Sequence, residues 1–405
     1  MSRWLGSVAE VRPITCAGCG LLCDDVIVER SAETLRLQPP CPRGLEWFSA
    51  RMLRPADTPV ATINGEPADL DSAVTRAAEL LRRARRPLLR AFDNATVEDA
   101  RAACALADRL GALITIDGVD RPWPGAPAVP LRGASTATLG EIRDRSRVLI
   151  VWREDPECTH PRLLERLGFG EDASRTLVVV DDRDTATTGR AQMRLRWAPE
   201  QDLEALVALH AMQRGLNVGT EALETQLRGL LDRVGGVPHV AFVYGSGLAA
   251  RVGGQRCALA LHELVRALSR ERHAVTLALP RATGHTAADD VLAWQSGYGG
   301  AVDFAEGHPA LVTATRPLDD VDVTLVVEAG AAGEAGAAGA DEIAVGSVSP
   351  GQDVDVWIRT AAAGVEASGT AHRLDGVPLT LQAPQPDDAP TAAALLTRLL
   401  AEVVQ

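Results

Sequence analysis

Residues 16–25 read Cys-Ala-Gly-Cys-Gly-Leu-Leu-Cys-Asp-Asp, and a fourth cysteine follows at Cys41. Four thiolates at this spacing can converge on one inorganic centre, because three of them come from one tight turn. Four thiolates are the ligand set of a 4Fe–4S cluster or of a structural zinc ion. The gap before Cys23 and the single distant Cys41 favour the cluster, since zinc ribbons more often use two CxxC pairs. We therefore predict a 4Fe–4S cluster on Cys16, Cys19, Cys23 and Cys41, with zinc or an empty site as alternatives.

The remaining cysteines have ordinary structural interpretations. Cys104 and Cys257 fall on apolar helical stripes, which is typical of small buried hydrophobic residues. Cys158 lies two residues before His160, and the two could form a nucleophile–base pair. No third partner for such a pair is visible, so an ordinary loop is favoured. The odd number of cysteines and the lack of a signal peptide predict a reducing, cytoplasmic compartment without disulfides.

Composition excludes several classes of function. The 405-residue chain has a net charge of −13, which argues against nucleic acid or an anionic membrane as the main partner. No apolar run reaches the roughly 18 residues that would indicate a membrane span. All 41 basic residues are arginine, because the sequence contains no lysine. A Walker A lysine, a pyridoxal Schiff base and a lysine general base are therefore excluded.

Apolar runs rich in β-branched residues alternate with helical patterns along the rest of the chain. Continuous apolar runs are typical of parallel strands that are buried on both faces. Helical patterns open at Asp69, at Thr96 with a possible capping box, and near Glu200. This alternation predicts doubly wound α/β layers. The predicted strands are 148–151, 177–180, 240–244 and 321–327.

Two glycine-rich regions are candidate binding elements. Residues 245–247 read Gly-Ser-Gly after a predicted strand, where a diphosphate could approach, but without a full G-x-G-x-x-G pattern a tight turn is an equal interpretation. The second region brings His285, Trp294, Gln295 and Asp303 together in a short stretch. Polar side chains beside a rigid aromatic ring suit a pocket for a flat heterocycle. A packed tryptophan with a polar edge is the alternative.

The cysteine motif resembles the N-terminus of the B subunit of formylmethanofuran dehydrogenase, a family of the molybdopterin oxidoreductases. Residues 86–89, 294–298, 302–304 and 364–378 agree with that family in order and spacing. The resemblance covers nearly the whole chain and implies a small N-terminal iron–sulfur domain and two doubly wound α/β domains, which grip a molybdopterin cofactor with molybdenum or tungsten. The expected boundaries are 1–55 with a hairpin from about 362–385, 56–135 with about 290–405, and an inserted domain at 136–289.

The resemblance also marks departures. In several relatives a lysine after the fourth cysteine bridges cluster and pterin, and Arg43 stands there in this chain. In active members a cysteine binds the metal, but the matching residues 113–122 contain neither cysteine nor histidine. Asp120 is the nearest alignable residue and is a harder ligand. The residues expected to contact the cofactor are Arg43, His285, Trp294, Gln295 and Asp303.

With these departures, the sequence resembles the bacterial branch of the family more than the archaeal one. In the bacterial branch the chain is the B subunit of a formyltransferase/hydrolase complex. That complex moves a formyl group from formyl-tetrahydromethanopterin to a methanofuran-like carrier and hydrolyses it to formate. The implied partners are a zinc-dependent amidohydrolase-like subunit and a formyltransferase subunit, and this chain would be a scaffold without redox chemistry. Two alternatives stay open. One is an active molybdenum or tungsten formylmethanofuran or formate dehydrogenase subunit, and the other is an iron–sulfur electron-transfer module.

Overall fold

The structure of the chain is a computed structural model that describes residues 12–31, 34–55, 57–116, 132–170, 172, 174–216, 221–249, 253–312, 320–330, 339–350 and 354–404. The strands, numbered in chain order, are β1 Ile27–Arg30, β2 Leu35–Gln38, β3 Ala61–Ile63, β4 Glu66–Ala68, β5 Pro87–Ala91, β6 Leu113–Thr115, β7 Val148–Trp152, β8 Thr176–Val180, β9 Met193–Leu195, β10 His239–Tyr244, β11 His273–Ala278, β12 Ala301–Asp303, β13 Ala310–Leu311, β14 Val323–Val327, β15 Asp341–Gly346, β16 Val356–Arg359, β17 Gly369–His372 and β18 Pro378–Leu381. The α-helices are α1 Pro42–Met52, α2 Leu70–Arg83, α3 Val97–Leu110, α4 Leu139–Arg145, α5 Pro156–Thr159, α6 Leu163–Leu167, α7 Asp202–Met212, α8 Glu221–Gly235, α9 Ser246–Ala249, α10 Gly254–Leu268, α11 His285–Ser296 and α12 Ala392–Val404.

The larger sheet has nine strands in the order β13-β12-β6-β5-β14-β15-β16-β3-β4. Its five central strands, from β6 to β16, pair in parallel. The two strands at each edge pair antiparallel. Strand β6 lies on one side of β5 and the later parallel strands lie on the other, so the winding reverses between β5 and β14. The carboxyl ends of strands at such a reversal form a crevice in α/β proteins.

The smaller sheet has five parallel strands in the order β11-β10-β7-β8-β9. Every residue of β7 and β10 is buried, which explains why these runs show no polar alternation. The winding of this sheet reverses between β7 and β10. Two antiparallel hairpins, β1–β2 and β17–β18, lie outside both sheets.

The mixed α/β fold with parallel sheets confirms the prediction from the alternating pattern. The predicted strands 148–151, 177–180 and 240–244 lie within β7, β8 and β10. The predicted strand 321–327 begins before β14 does. Just before β14, the Asp322 carboxylate accepts the backbone N–H groups of Arg85 and Arg86 at 2.8 and 2.9 Å, and the strand pairing begins at Val323. The domain boundaries stay a prediction.

The helix starts follow the signals in the sequence. Asp69 caps α2 by accepting the Ser72 N–H at 2.9 Å. Thr96 and Asp99 form the capping box of α3. The pattern near Glu200 begins as a short 3-10 turn and continues as α7. None of the helices in the described part of the chain is long and apolar enough to cross a membrane.

Candidate functional site

The cysteine motif closes into a buried turn. The Cys16 N–H donates to the Cys23 carbonyl oxygen at 2.8 Å. The Thr283 hydroxyl, which comes from the loop before α11, donates to the Ala17 carbonyl oxygen at 2.6 Å. The first three cysteines of the motif are buried and the fourth is half-buried. The turn is therefore held by backbone contacts and by a distant loop.

Cys41 reaches this turn from the N-cap of α1. Two glycines allow the approach. A Cβ on Gly44 would lie 3.1 Å from Cys16 Sγ, and a Cβ on Gly18 would lie 2.9 Å from the Arg43 carbonyl oxygen. Any larger residue at either position would separate the turn from α1. The sequence pattern predicted that Cys41 returns to the motif, and the glycines explain how.

The thiols are close enough to affect one another. Burial raises the pKa of the Cys19 thiol to about 12 and also raises the pKa of Cys16 and Cys23, and the charge of Cys41 contributes to all three. Buried thiols with a raised pKa are protonated at neutral pH. A metal centre at this position must therefore release protons as it binds.

Arginine side chains offset this penalty. The charge of Arg43 lowers the pKa of Cys19, and the charges of Arg166 and Arg162 lower that of Cys23. The last two arginines are fixed by ion pairs with the carboxylates that follow the motif in the chain. Fixed guanidinium groups near the motif suit a centre that carries several thiolates.

Two buried polar atoms beside the motif lack a hydrogen-bond partner among the residues that the structure describes. They are Arg43 Nε and His160 Nε2. Burial, and then the charge of Arg43, lowers the pKa of His160 to about 3, so the imidazole is neutral. Unsatisfied buried polar atoms next to thiols fit a bound group that supplies the missing partner, such as a cluster sulfide.

A ready-made site for a metal ion is absent from the part of the chain that the structure describes. No group of three or more His, Cys, Asp or Glu side chains there could hold one. The ligand set Cys16, Cys19, Cys23 and Cys41 therefore stays a prediction. Cys158 is exposed in the short helix α5, where the sequence predicted a loop, and the ring Nδ1 of His160 bonds to the Thr159 hydroxyl at 3.0 Å, so these contacts do not form a nucleophile–base pair.

A histidine–aspartate pair lies at the carboxyl end of β5, where the winding of the larger sheet reverses. His285 Nε2 lies 2.9 Å from Asp93 Oδ1, and the Gly330 N–H donates to Asp93 Oδ2 at 2.7 Å. Burial acts to raise the pKa of Asp93, but the hydrogen bond with His285 holds it below its ordinary value. A Cβ on Gly284 would lie 2.1 Å from the Phe92 carbonyl oxygen, so a glycine is needed for α11 to start here.

A buried carboxyl group follows β14 at the same edge. Glu328 has a positive φ of 47° and accepts hydrogen bonds from the Ser347 hydroxyl at 3.1 Å and from the Thr360 hydroxyl. Burial, and then repulsion from Asp99, raises its pKa to about 7. The charge of buried Arg51 partly offsets this effect. The site thus contains an acid that titrates near neutral pH.

The Gly-Ser-Gly loop at 245–247 is filled by the chain itself. The Glu154 carboxylate accepts the Asp155 N–H at 3.3 Å, and burial raises its pKa. A Cβ on Gly245 would lie 1.9 Å from Glu154 Oε2, and a Cβ on Gly247 would lie 1.8 Å from the Arg153 carbonyl oxygen. A carboxylate therefore occupies the place of a bound anion, which favours the tight-turn interpretation.

The expected cofactor contacts lie in separate places. Arg43 lies at the cysteine motif and His285 at the carboxyl edge of the larger sheet. Asp303 lies at the opposite edge, because β12 runs antiparallel to β6, and both of its oxygens accept hydrogen bonds from Arg86 at 2.8 Å. Trp294 is 61 % exposed near the end of α11, about 14 Å along the helix from His285, and the neighbouring Gln295 is also exposed. The structure does not bring these side chains into one pocket.

Sequence reasoning missed Asp93, Glu154 and Glu328. Each comes within two residues of the end of a buried parallel strand. An acidic residue directly after such a strand is the signal that could have found them, because the carboxyl ends of parallel strands meet at one edge. Asp120 and the rest of 117–122 lie outside the described residues.

Comparison with known proteins agrees with this fold. No protein-family profile matches the chain. The chain is 27 % identical to the B subunit of the tungsten-containing formylmethanofuran dehydrogenase 2 of Methanocaldococcus jannaschii, over 93 % of this chain and 94 % of the relative. The same protein of Methanococcus maripaludis is 25 % identical, over 91 % and 92 %. The chain resembles the B subunit of formylmethanofuran dehydrogenase. The resemblance that the motifs predicted is confirmed.

Two solved structures share the fold. One is the formyltransferase/hydrolase complex (FhcABCD) from Methylorubrum extorquens in complex with methylofuran, with a TM-score of 0.68 and 23 % identity, covering 85 % of this chain and 98 % of that chain. The other is acetylene hydratase from Pelobacter acetylenicus, with a TM-score of 0.53 and 12 % identity, covering 96 % and 70 %. At these identities the likeness establishes the fold alone.

Proposed function

We propose that this chain is the B subunit of a formyltransferase/hydrolase complex in the tetrahydromethanopterin-linked oxidation of formaldehyde to formate. Its partners are a formyltransferase subunit, which moves the formyl group to a methanofuran-like carrier, and a zinc-dependent amidohydrolase-like subunit, which hydrolyses it to formate. Similarity to the B subunit of formylmethanofuran dehydrogenase over 93 % of the chain supports this assignment, as does the fold shared with a chain of the FhcABCD complex.

Within that complex the chain acts as a scaffold without redox chemistry of its own. The observation that carries this proposal is the absence of cysteine and histidine from residues 113–122. Molybdenum or tungsten held by two dithiolenes needs a further ligand, and no soft protein ligand is available in this stretch.

The glycine loop at 245–247 adds support, because it does not fit the diphosphate of a pterin dinucleotide. The Glu154 side chain already lies against this loop, where a Cβ on Gly245 would lie 1.9 Å from Glu154 Oε2. A diphosphate at this loop would have to displace the Glu154 side chain from the space it fills. We therefore assign no step to a pterin on this chain.

The cysteine motif fits an iron–sulfur cluster better than it fits the pterin. Cys16, Cys19, Cys23 and Cys41 would hold the cluster, Arg43 Nε would satisfy a sulfide, and the paired arginines near Cys23 would balance charge. A bound cluster supplies one-electron transfer. In a scaffold it also stabilises the turn, because metal binding and local folding are coupled.

A tungsten-dependent dehydrogenase subunit is the second candidate. Both relatives from Methanocaldococcus and Methanococcus belong to tungsten-containing enzymes, which favours it. Metal analysis and a viologen assay on native complex purified without oxygen distinguish the two candidates. The scaffold predicts formyl hydrolysis without molybdenum, without tungsten and without formate-dependent viologen reduction. Tungsten or molybdenum at one atom per chain together with viologen reduction would refute the scaffold and establish the dehydrogenase.

A further inference from the structure

We propose that the surface formed by Trp294, Gln295, Asp290 and Glu98 docks an arginine side chain of a neighbouring subunit. The inference deepens the proposed function, on which it rests, by naming where this chain contacts its complex and with what chemistry. We call these four residues the Trp294 surface.

The tryptophan is the first observation. Trp294 is 61 % exposed, although the chain buries Trp47, Trp152, Trp197 and Trp357. Its ring meets the His372 ring edge to face, with 5.5 Å between the centroids. The residue is therefore fixed in place and yet open to solvent. Fixed, exposed tryptophans are the side chains that most often dominate binding energy at protein interfaces.

The hairpin beside α11 holds two carboxylates. His372 Nδ1 lies 2.5 Å from Asp290 Oδ2, and the Thr370 N–H and hydroxyl donate to Glu98 at 3.0 and 2.8 Å. Thr370 and His372 are two residues apart on β17, so they point to the same face and stand roughly 7 Å apart. Asp290 lies one turn of helix before Trp294 on α11, and Glu98, in the first turn of α3, is held by the same strand.

Charge identifies the occupant. A ring face beside carboxylates suits a guanidinium, which stacks on the ring and pairs with an oxygen at the same time. A second copy of this chain is a poor fit, because each copy carries a net charge of −13 and the surface is itself acidic. A partner that presents an arginine matches both the ring and the carboxylates.

Gln295 allows a test that leaves the fold intact, since its side chain is exposed beside Trp294. The full chain is coexpressed with the other subunits, and its dissociation constant from the complex is measured at low and high salt for Q295R, Q295E and W294A. Val207→Ala is the control, because Val207 is 54 % exposed on α7, outside the Trp294 surface. Oligomeric state of the chain alone is measured in parallel.

We expect W294A and Q295R to weaken association at least tenfold, Q295E to leave it unchanged or tighter, and the control to behave as the unaltered chain. Equal weakening by Q295R and Q295E would refute an arginine as the docked side chain. If no variant has an effect, the Trp294 surface is not a contact with the complex. If the chain alone self-associates and W294A abolishes that association, a second copy of the chain is the occupant and the proposal is refuted. A chain that never joins the complex would overturn the proposed function itself.

Discussion

The buried carboxyl of Glu328 should make the folded chain less stable as the pH rises. The pKa of Glu328 is raised from 4.5 to about 7, so the folded state binds its proton more tightly than the unfolded state does. This contribution to stability is complete below pH 4.5 and is lost as the pH rises through about 7. The difference corresponds to about 3 kcal/mol, since one pKa unit is about 1.4 kcal/mol.

Glu328→Gln removes the titration and keeps the shape. The amide can still accept from the Ser347 hydroxyl and can donate to the Thr360 oxygen. Urea unfolding at about pH 5 and about pH 8 should show a decline in stability for the unaltered chain that is larger than the decline of E328Q by about 2.5 kcal/mol, because part of the contribution is already lost at pH 5. At the higher pH the variant should be the more stable of the two, because it buries no charge.

A carboxylate on the surface supplies the control for this experiment. Glu79 is 53 % exposed as a side chain and pairs with Arg76 at 3.6 Å, so Glu79→Gln should keep the pH dependence of the unaltered chain. Asp289, whose pKa burial also raises to about 7, gives a slope of the same sign that E328Q leaves in place. Equal declines for E328Q and the unaltered chain would refute the reasoning.

Three further predictions follow from other contacts. Asp303→Asn should lower the free energy of unfolding by about 3 kcal/mol, because it removes the bidentate carboxylate of buried Arg86 and leaves only the longer pair with Asp320 at 3.8 Å. Asp341→Asn, which breaks the exposed pair with Arg83, should cost at most about 1 kcal/mol, and urea curves measure both. Cys19→Ser should lose the iron and brown colour of anaerobically purified protein while Cys158→Ser keeps them, and stoichiometric zinc without iron in the unaltered chain would contradict the cluster. Gly284→Ala should destabilise the chain by about 1–3 kcal/mol, because the new Cβ would clash with the Phe92 carbonyl oxygen. Gly189→Ala should be tolerated, because a Cβ there meets no described atom within 4 Å. Identical thermal unfolding of the two variants would contradict the clash.

The fold was largely predictable because burial leaves a direct trace in sequence. Strand β10 lies between two parallel neighbours. Residues 239–244 are therefore apolar or aromatic, apart from one histidine. The cap at Thr96 was equally local, since its partner Asp99 is three residues away. Where the polar partner is distant, the pattern misleads. Asp322 interrupts an apolar run, and its carboxylate bonds to the backbone just before β5, more than 200 residues earlier in the chain.

The candidate site was harder to predict because residues that are neighbours in sequence need not share a site. His285, Trp294 and Asp303 are close in the chain but lie far apart in the structure. Helix α11 begins with His285 at the carboxyl edge of the larger sheet and carries Trp294 to the surface, and the antiparallel strand β12 carries Asp303 to the opposite edge. The reverse holds for His285 and Asp93, which are 192 residues apart and 2.9 Å distant. A dense motif in sequence therefore predicts a site only when its residues meet at one end of the sheet. The cysteine turn meets a comparable condition, because its first three members share one closed turn and Cys41 is the N-cap residue of the helix that packs on it.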